Sequence, residues 1–445
     1  MARKTAPEVS AREAALEVLL RVEKGAFLDA LLGPAVDRLS DRREAALLTR
    51  LAYGVETWRA RLDWTLAALS SRSPEHFEPA VRGALRLGLF QLLFLDRVPH
   101  HAAVDTSVEL AKRTSPGGSR VVNAILRRAL RDGEAAPPPD DVDAAAHLAI
   151  RWSHPEWLVR RWIDERGRAA TEALLAANNE AGPSAFRVDL RRASRDDMIA
   201  SLAERGVVAH ASPYARAAVV IEGPVSSVSD VQGLEAQSVA SQIVAEIVGP
   251  AAGDRTLDLC AAPGGKAAAL AESQPDARVI ASDRARGGIR HTAARRSGRS
   301  GLFVLRADGT HPPFAPNTFD TGLVDAPCSG LGTLRAHPEL RWRRDRQDVI
   351  RLAALQRRLL DSAAPLIRPG GRLVYATCTT LAEENEDNVA DFLAHHPTWT
   401  RDDPRDRIGD AATFVGEDLA LRTSPDLGGL DGFFAVALRN GGGSV

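Results

Sequence analysis

The sequence has few cysteines and no long apolar run. Its 445 residues include three cysteines, at Cys260, Cys328 and Cys378. An odd number at these wide spacings does not suit a disulfide framework, so we expect reduced thiols that serve packing or chemistry. No apolar stretch approaches the length of a membrane span, and the first residues lack the apolar segment of a secretory leader. These absences predict a cytoplasmic protein that does not act at a membrane.

The chain also lacks a strong net charge, which is −1 at neutral pH. No global field therefore attracts it to nucleic acid. Arginine is nevertheless dense in three clusters, at residues 120–131, 284–299 and 335–346. One such cluster is usually a solvated helix face balanced by acidic residues. Three clusters beside the candidate catalytic residues described below favour a polyanionic partner.

Helical patterns fill the first 130 residues. Ser10 and Glu13 form a capping box at the start of the first helix. Amphipathic runs then follow at residues 44–69, 81–95, 103–112 and 121–130. The Pro-rich, acidic stretch at 135–141 predicts a domain boundary near residue 138.

A linker helix and a small α/β module are predicted between residues 139 and 230. Strand patterns at 185–190, 207–210 and 217–221 surround a helix that Ser194 caps. From residue 231 to 445, a helix at 234–248 precedes strands that alternate with helices. These strands are predicted at 255–260, 277–283, 302–308, 319–325, 371–378 and 431–438. Such alternation predicts a doubly wound, mostly parallel, Rossmann-like α/β sheet.

The loop that ends in Gly264-Gly265-Lys266 resembles a phosphate-binding loop only superficially. A P-loop would need glycine where Cys260 stands and serine or threonine where Ala267 stands, and the dinucleotide fingerprint is absent too. What remains is a glycine turn at a helix N-terminus beside a lysine, which suits a carboxylate as well as a phosphate.

Two aspartates narrow the choice of ligand. Asp283 ends the next strand, where ribose hydroxyls are usually held. Asp308 ends the following strand with an acceptor for an exocyclic amine. Either aspartate alone is more often a loop cap, but together with Asp325 they mark successive strand ends. A ligand with a carboxylate, a ribose and an adenine but no phosphate is S-adenosylmethionine.

Two thiols follow strands whose carboxyl ends should face the same crevice. Cys328 follows Asp325-Ala-Pro, and Cys378 follows Tyr375-Ala-Thr. A buried, inert cysteine is the commoner interpretation for either one alone, but their joint placement favours chemistry. A thiolate that adds to carbon 6 of cytosine activates carbon 5 for methyl transfer, and a second thiol can assist elimination. Asp325 is placed to hydrogen-bond the pyrimidine edge, whereas Cys260 is predicted only to pack and to shape the cofactor loop.

These segments resemble the RNA 5-cytosine methyltransferase family. The resemblance rests on residues 258–266, 325–330, 337–342, 375–378, 384–386 and 431–434, and the N-terminal residues 41–58, 98–105 and 122–128 are similar to the domain shared with the antitermination factor NusB. The resemblance implies a Rossmann-like catalytic domain with S-adenosylmethionine bound by Cys260, Ala261, Ala262, Pro263, Gly264, Gly265, Lys266, Asp283, Asp308 and Asp325.

The same resemblance implies roles for the thiols and the partners. Cys378 would be the nucleophile, Cys328 would assist release, and Thr379 stands where serine is commoner. The helical domain, predicted at residues 1–138, would help dock RNA, with small-subunit ribosomal RNA as the expected substrate. We expect a monomer that needs no metal, with a connecting module at 139–230 and a catalytic domain at 231–445.

Three alternatives stay open at this stage. A transfer RNA methyltransferase would use the same chemistry, and a DNA cytosine methyltransferase would attack with the Pro-Cys thiol at Cys328 instead. A non-catalytic RNA-binding or antitermination factor would keep the fold without using either cysteine.

Overall fold

The computed structural model describes residues 9–115, 117–223, 225–274 and 276–442. The chain divides into two compact units, one of Met1–Glu180 with Leu334–Arg343, the other of Ala181–Thr333 with Arg344–Val445. The helices are α1 Ala11–Glu23, α2 Leu28–Val36, α3 Arg42–Thr57, α4 Arg59–Ser70, α5 Pro79–Phe94, α6 His100–Thr114, α7 Gly118–Asp132, α8 Ala144–Arg151, α9 Glu156–Arg166, α10 Arg168–Ala177, α11 Arg195–Glu204, α12 Val239–Val248, α13 Gly265–Ser273, α14 Arg286–Ala294, α15 Leu340–Arg343, α16 Arg346–Ala363 and α17 Glu386–His395.

The strands are β1 Ser184–Val188, β2 Ala209–Ala211, β3 Ala218–Ile221, β4 Leu234–Ala236, β5 Arg255–Asp258, β6 Arg278–Asp283, β7 Leu302–Arg306, β8 Phe319–Asp325, β9 Ile367–Thr377, β10 Trp399–Asp402, β11 Ala420–Thr423 and β12 Phe433–Asn440. None of the helices in the described ranges combines the length and the apolar composition that crossing a bilayer requires.

The first unit is helical, as the sequence predicts. The capping box at the start of α1 is confirmed, because the Ser10 hydroxyl accepts from the Glu13 amide while the Glu13 carboxylate accepts from the Ser10 amide. The single run predicted at 44–69 is wrong, since α3 and α4 are separated at Trp58, which leaves helical geometry and stacks its ring on Phe94 at 4.7 Å. Packing of this partly buried aromatic ring against the core offsets the lost helical continuity there.

A short segment from the second half of the sequence completes this unit. Within residues 334–343, the side chain of Arg341 is fully buried. Its Nη1 donates to the carbonyl oxygens of Thr57 and Ser153, at 3.2 and 2.9 Å, and to Oδ1 of Asn179 at 2.9 Å. Burial lowers the pKa of Arg341 to about 9, although the nearby Glu56 carboxylate opposes that shift.

The second unit begins with a small antiparallel sheet in the order β2-β3-β1-β4, beside α11. Ser194 caps α11 through the Asp197 amide, as predicted. The helix predicted at 234–248 is wrong in its first residues. There β4 pairs with β1, and the helix begins only after Ser238, whose hydroxyl accepts from the Ser241 amide. A strand partner distant in sequence therefore overrides the helical pattern.

A larger sheet carries the candidate site. Its order is β10-β12-β9-β8-β5-β6-β7, with β11 paired to β12. The five strands from β9 to β7 are parallel, and β12 runs antiparallel to β9. Residues of α12 and α13 bury one face of this sheet, while α16 and α17 bury the other. The predicted doubly wound α/β fold is confirmed. Strand order reverses between β5 and β8, which opens a crevice at their carboxyl ends.

Candidate active site

A cavity of about 430 Å³ lies at this crevice. Most of its wall comes from the loops that follow β5, β6, β7, β8 and β9. Its lining residues are Leu259, Cys260, Ala262, Lys266, Asp283, Arg284, Ala285, Asp308, Gly309, Thr310, Asp325, Ala326, Pro327, Cys328, Leu355, Leu359, Cys378 and Phe433. Strand ends that are remote in sequence thus deliver three thiols and three carboxylates to one space.

Two of these thiols, Cys328 and Cys378, are in contact. The Sγ atoms of Cys328 and Cys378 lie 3.0 Å apart, and the backbone amide of Cys378 donates to Cys328 Sγ at 3.3 Å. The hydrogen bond between the two thiols and burial together raise the pKa of the Cys328 thiol well above its usual range, and they outweigh the Cys378 amide, which lowers it. Cys328 therefore stays protonated at neutral pH and can hold or return a proton beside the second sulfur.

An ion pair stands beside the thiols. Lys266 Nζ donates to Asp325 Oδ2 at 2.7 Å, and it lies 5.2 Å from the centroid of the Phe433 ring. Burial by itself would lower the pKa of Lys266, but attraction to Asp325, with a smaller contribution from Cys378, outweighs burial and raises that pKa. Lys266 therefore keeps its positive charge at neutral pH inside the cavity.

The glycine loop connects β5 to α13. Cys260 and Ala262 line the cavity, while Ala261 is buried and its amide donates to the Ser282 carbonyl at 2.9 Å. Burial raises the pKa of Cys260 well above its usual range, in keeping with a packing role.

The rest of the loop shapes the helix start. Pro263 follows a cis peptide bond, Gly265 is the first residue of α13, and neither lines the cavity. Gly264 has a φ of +97°, and a Cβ there would approach the Cα of Thr292 to 2.9 Å, so only glycine fits.

The two remaining predicted aspartates also reach the cavity. Asp283 accepts the Ala262 amide at 3.1 Å on Oδ2 and the Ala285 amide at 2.7 Å on Oδ1, which leaves lone pairs for a ligand. Asp308 is exposed, and its Oδ1 accepts from both the amide and the hydroxyl of Thr310, at 2.9 and 2.8 Å. Asp308 is thus a loop cap that also lines the cavity.

Two carboxylates in and around the site were missed as site residues. Burial, and then the charge of Asp325, raise the pKa of Asp258 to about 8, so this carboxyl is mostly protonated at neutral pH. Glu384 is fully buried and accepts the Ser329 amide at 2.9 Å. Both lie in the motif segments that carry the family resemblance, which was the available signal. Burial itself could not be read from the sequence.

In the described part of the chain, no group of three or more His, Cys, Asp or Glu side chains is arranged to hold a metal ion.

Comparison with known proteins gives three family matches along the chain. The family model for 16S rRNA methyltransferase RsmB/F matches residues 245–439, the NusB family model matches residues 9–131, and the ferredoxin-like domain of RsmF/B-like methyltransferases matches residues 154–228. The NusB-like start of the chain and the small connecting α/β module, both predicted from sequence, are confirmed.

Individual relatives span nearly the whole chain. A probable ribosomal RNA small subunit methyltransferase B of Bacillus subtilis is 32% identical over 98% of this chain and 100% of its own. A putative methyltransferase of Mycobacterium tuberculosis is 39% identical over 96% of each chain. The crystal structure of PH0851 superposes with a TM-score of 0.84 at 25% identity, covering 98% of this chain and 100% of that one. The chain therefore belongs to the RsmB/F family of 16S rRNA methyltransferases and is an S-adenosylmethionine-dependent RNA methyltransferase.

Proposed function

We propose that this enzyme methylates carbon 5 of a cytosine in small-subunit ribosomal RNA through a covalent bond between cysteine and the base. The observation that carries the proposal is the 3.0 Å separation of the Cys328 and Cys378 sulfurs in one cavity. Carbon 5 of cytosine is a poor nucleophile, so its methylation needs a thiolate at carbon 6, and a second thiol is useful for release. Methylation of a ring nitrogen or a ribose oxygen would need neither thiol.

The residues of the cavity fit the methyl donor. S-adenosylmethionine, when bound, supplies an electrophilic methyl group. The free lone pairs of Asp283 suit ribose hydroxyls, and Asp308 suits an exocyclic amine. Leu355 and Leu359 give an apolar wall for a purine, and the α13 N-terminus beside Lys266 suits a carboxylate.

The remaining groups act on the base, which must leave its stack to enter the cavity. We assign Cys378 as the nucleophile, whose sulfur bonds to carbon 6 while Asp325 hydrogen-bonds the pyrimidine edge and favours protonation at ring nitrogen 3. Electron density moves to carbon 5, which takes the methyl group and leaves the bonding electron pair on the sulfur of the donor. Release of the carbon 5 and nitrogen 3 protons to solvent then restores the ring as the bond between the Cys378 sulfur and carbon 6 breaks. Cys328, beside the departing sulfur, assists this release.

Substitution of each cysteine tests the assignment. Cys378→Ser should abolish both methylation and adduct formation, because a hydroxyl is too weak a nucleophile at neutral pH. Cys328→Ser should allow attack and leave a stalled covalent complex of RNA and protein, visible as a shifted band under denaturing conditions. The reverse pattern would assign attack to Cys328, and a protein indifferent to both changes would be a non-catalytic factor.

The substrate is tested separately. Bisulfite sequencing of total RNA from cells with and without the protein should show one or more cytosines of small-subunit ribosomal RNA that lose protection in its absence. If protection were lost in transfer RNA instead, transfer RNA would be the substrate of the same reaction. We further propose that the enzyme works in the cytoplasm as a monomer and that the NusB-like unit docks the RNA. We also propose domain boundaries near residues 138 and 230.

A further inference from the structure

One segment of the catalytic unit carries charge of a single sign. Between Asp283 and Asp308 the chain contains seven arginines and one histidine but no aspartate or glutamate. The whole protein, in contrast, has a net charge of −1. The function proposed above assigns no role to this segment, which includes α14 and β7.

Two of the seven arginines are structural. Arg295 and Arg299 both pair with Glu235, and Arg299 also pairs with Glu272 at 2.5 Å. The other five are exposed, and within the described ranges none of them forms an ion pair with a carboxylate; they are Arg284, Arg286, Arg290, Arg296 and Arg306. We call these five the α14 arginine surface.

This surface is held against the candidate site by a tightly packed helix. A Cβ at Gly288 would approach the Ala262 Cβ to 2.4 Å, so the inner side of α14 touches the glycine loop directly. Thr292, one turn further on, is buried against Gly264. Gly287 and Gly288 both weaken helix propensity, but only Gly288 permits this close packing, since a Cβ at Gly287 would meet nothing within 4 Å. The opposite side of α14 presents Arg286 and Arg290, four residues apart, to solvent.

The surface is continuous with the cavity. Arg284 lines the cavity next to Asp283, and the Arg306 Nε donates to the Arg284 carbonyl at 3.2 Å. Arg284 also faces the carboxylate of Asp308, an exposed group already hydrogen-bonded to Thr310. Arginines at i and i+4 repel each other in the free protein, and a polyanion that follows the helix would relieve that repulsion.

We infer that the α14 arginine surface binds the phosphate backbone of the substrate RNA beside the nucleotide that enters the cavity. The inference rests on the proposed function, since it takes RNA as the polyanion. Guanidinium groups pair with phosphates in a bidentate manner, and such contacts position a strand without reading its sequence. The surface therefore sets affinity and register, while the cavity selects the base.

The test is the salt dependence of RNA binding. Binding of a fluorescent small-subunit ribosomal RNA fragment is measured by anisotropy at several salt concentrations for the wild type and for Arg286→Gln with Arg290→Gln. Loss of two phosphate contacts should weaken binding at least tenfold at low salt and reduce the slope of log Kd against log salt by about 1.4. Calorimetric affinity for S-adenosylmethionine should stay unchanged, which shows that the cavity is intact.

A matched control removes the same charge elsewhere in the catalytic unit. Arg278 is exposed at the amino end of β6, opposite to the end that precedes α14, and Arg358 is exposed on α16. Arg278→Gln with Arg358→Gln should leave the slope unchanged within about 0.3. Equal effects of the two double variants would show that the change in RNA binding depends only on net charge, and would overturn the inference.

The outcomes also separate this inference from the proposed function. If the Arg286 and Arg290 variant binds RNA like the wild type and still forms the covalent adduct, the surface assignment fails and the chemistry stands. If the wild type itself neither binds nor methylates RNA, the proposed function fails. Displacement of RNA by poly-glutamate at an equal concentration of charge would indicate an acidic protein partner and would also overturn the inference.

Discussion

The hydroxyl oxygens of Ser329 and Thr379 are joined by a hydrogen bond of 2.9 Å. These two residues directly follow Cys328 and Cys378, so the loops that carry the sulfurs are joined by a second, buried contact. Glu384 lies beneath this contact, where it accepts the Ser329 amide and hydroxyl at 2.9 and 2.5 Å. The separation of the two sulfurs is therefore held by side chains that need not touch the substrate.

Thr379→Val should separate positioning from chemistry. It removes the hydroxyl but keeps the shape, so the Cys378 loop loses its link to Ser329. We expect kcat to fall about tenfold or more, because small displacements of reacting groups are costly, while KM for S-adenosylmethionine stays unchanged. Thr379→Ser, which keeps the hydroxyl, is the matched control and should retain nearly full activity. A Val variant as active as the Ser variant would show that the link is dispensable.

Glu384→Ala should affect stability as well as rate. Without the carboxylate, the buried Ser329 amide and the Gln356 side chain lose an acceptor. Each buried donor left without a partner costs about 1–3 kcal/mol. We expect a lower unfolding temperature of the catalytic unit by calorimetry together with a lower kcat. Glu384→Gln keeps an acceptor and should lose much less stability, and equal losses in the two variants would contradict this account.

Lys266→Met should lower the stability of the protein, and a second substitution, Asp325→Asn, should partly restore it. The side chains of Lys266 and Asp325 are 12% and 26% exposed, so loss of the lysine leaves a poorly solvated carboxylate. We expect a cost below the roughly 3–5 kcal/mol of breaking a fully buried pair. Adding Asp325→Asn should restore part of the unfolding temperature but none of the activity. Restored methylation in the double variant would remove Asp325 from the proposed mechanism.

The buried carboxyl of Asp258 should make stability depend on pH. Its pKa is raised from the ordinary value of 3.8 to about 8, so folding keeps a proton that the unfolded chain releases. The contribution to stability is complete below about pH 4 and is lost as pH rises towards 8, by at most about 1.4 kcal/mol per pH unit. Asp258→Asn removes this dependence.

Calorimetric unfolding at pH 6, 7 and 8 gives the measurement. The unfolding temperature of Asp258→Asn relative to the wild type should rise steadily across these three values. The exposed Asp406→Asn serves as the control and should track the wild type at each pH. A constant difference between Asp258→Asn and the wild type would show that Asp258 is ionised throughout.

Arg341→Met should destabilise the helical unit. The guanidinium donates to three backbone carbonyl oxygens and to Oδ1 of Asn179, and methionine removes all four hydrogen bonds. We expect its unfolding temperature to fall by several degrees and proteolysis within residues 9–180 to quicken. Lysine cannot reproduce the planar fork, so Arg341→Lys should rescue little. Arg346→Met, at an exposed position, is the control. An equal fall in unfolding temperature for this variant would show that the hydrogen bonds of Arg341 do not stabilise the helical unit.

The sequence predicted the elements that have regular local patterns. Strands at 278–283 and 319–325 were found because β-branched and apolar runs stop at a functional side chain, and parallel strand ends must meet at one edge. Placement of Cys328 and Cys378 in one crevice follows from that rule, although their 3.0 Å separation does not.

What could not be predicted depends on partners distant in sequence. The strand β4 was mistaken for helix because its only strand signal is pairing with β1, about fifty residues earlier. Arg341 stood in a recognised motif, but no periodicity indicates that it is buried among residues near 57, 153 and 179. The roles of Asp258 and Glu384 likewise depend on burial and hydrogen bonding that only tertiary structure creates.

The membership of residues 334–343 in the helical unit has a consequence for biosynthesis. A chain emerging from the ribosome exposes the acceptors around Thr57, Ser153 and Asn179 long before Arg341 has been translated. These acceptors in the amino-terminal unit therefore lack their arginine donor until about three quarters of the polypeptide has been synthesised. A fragment that stops at residue 180 lacks that guanidinium. We expect it to be less stable than the same unit in the full-length protein.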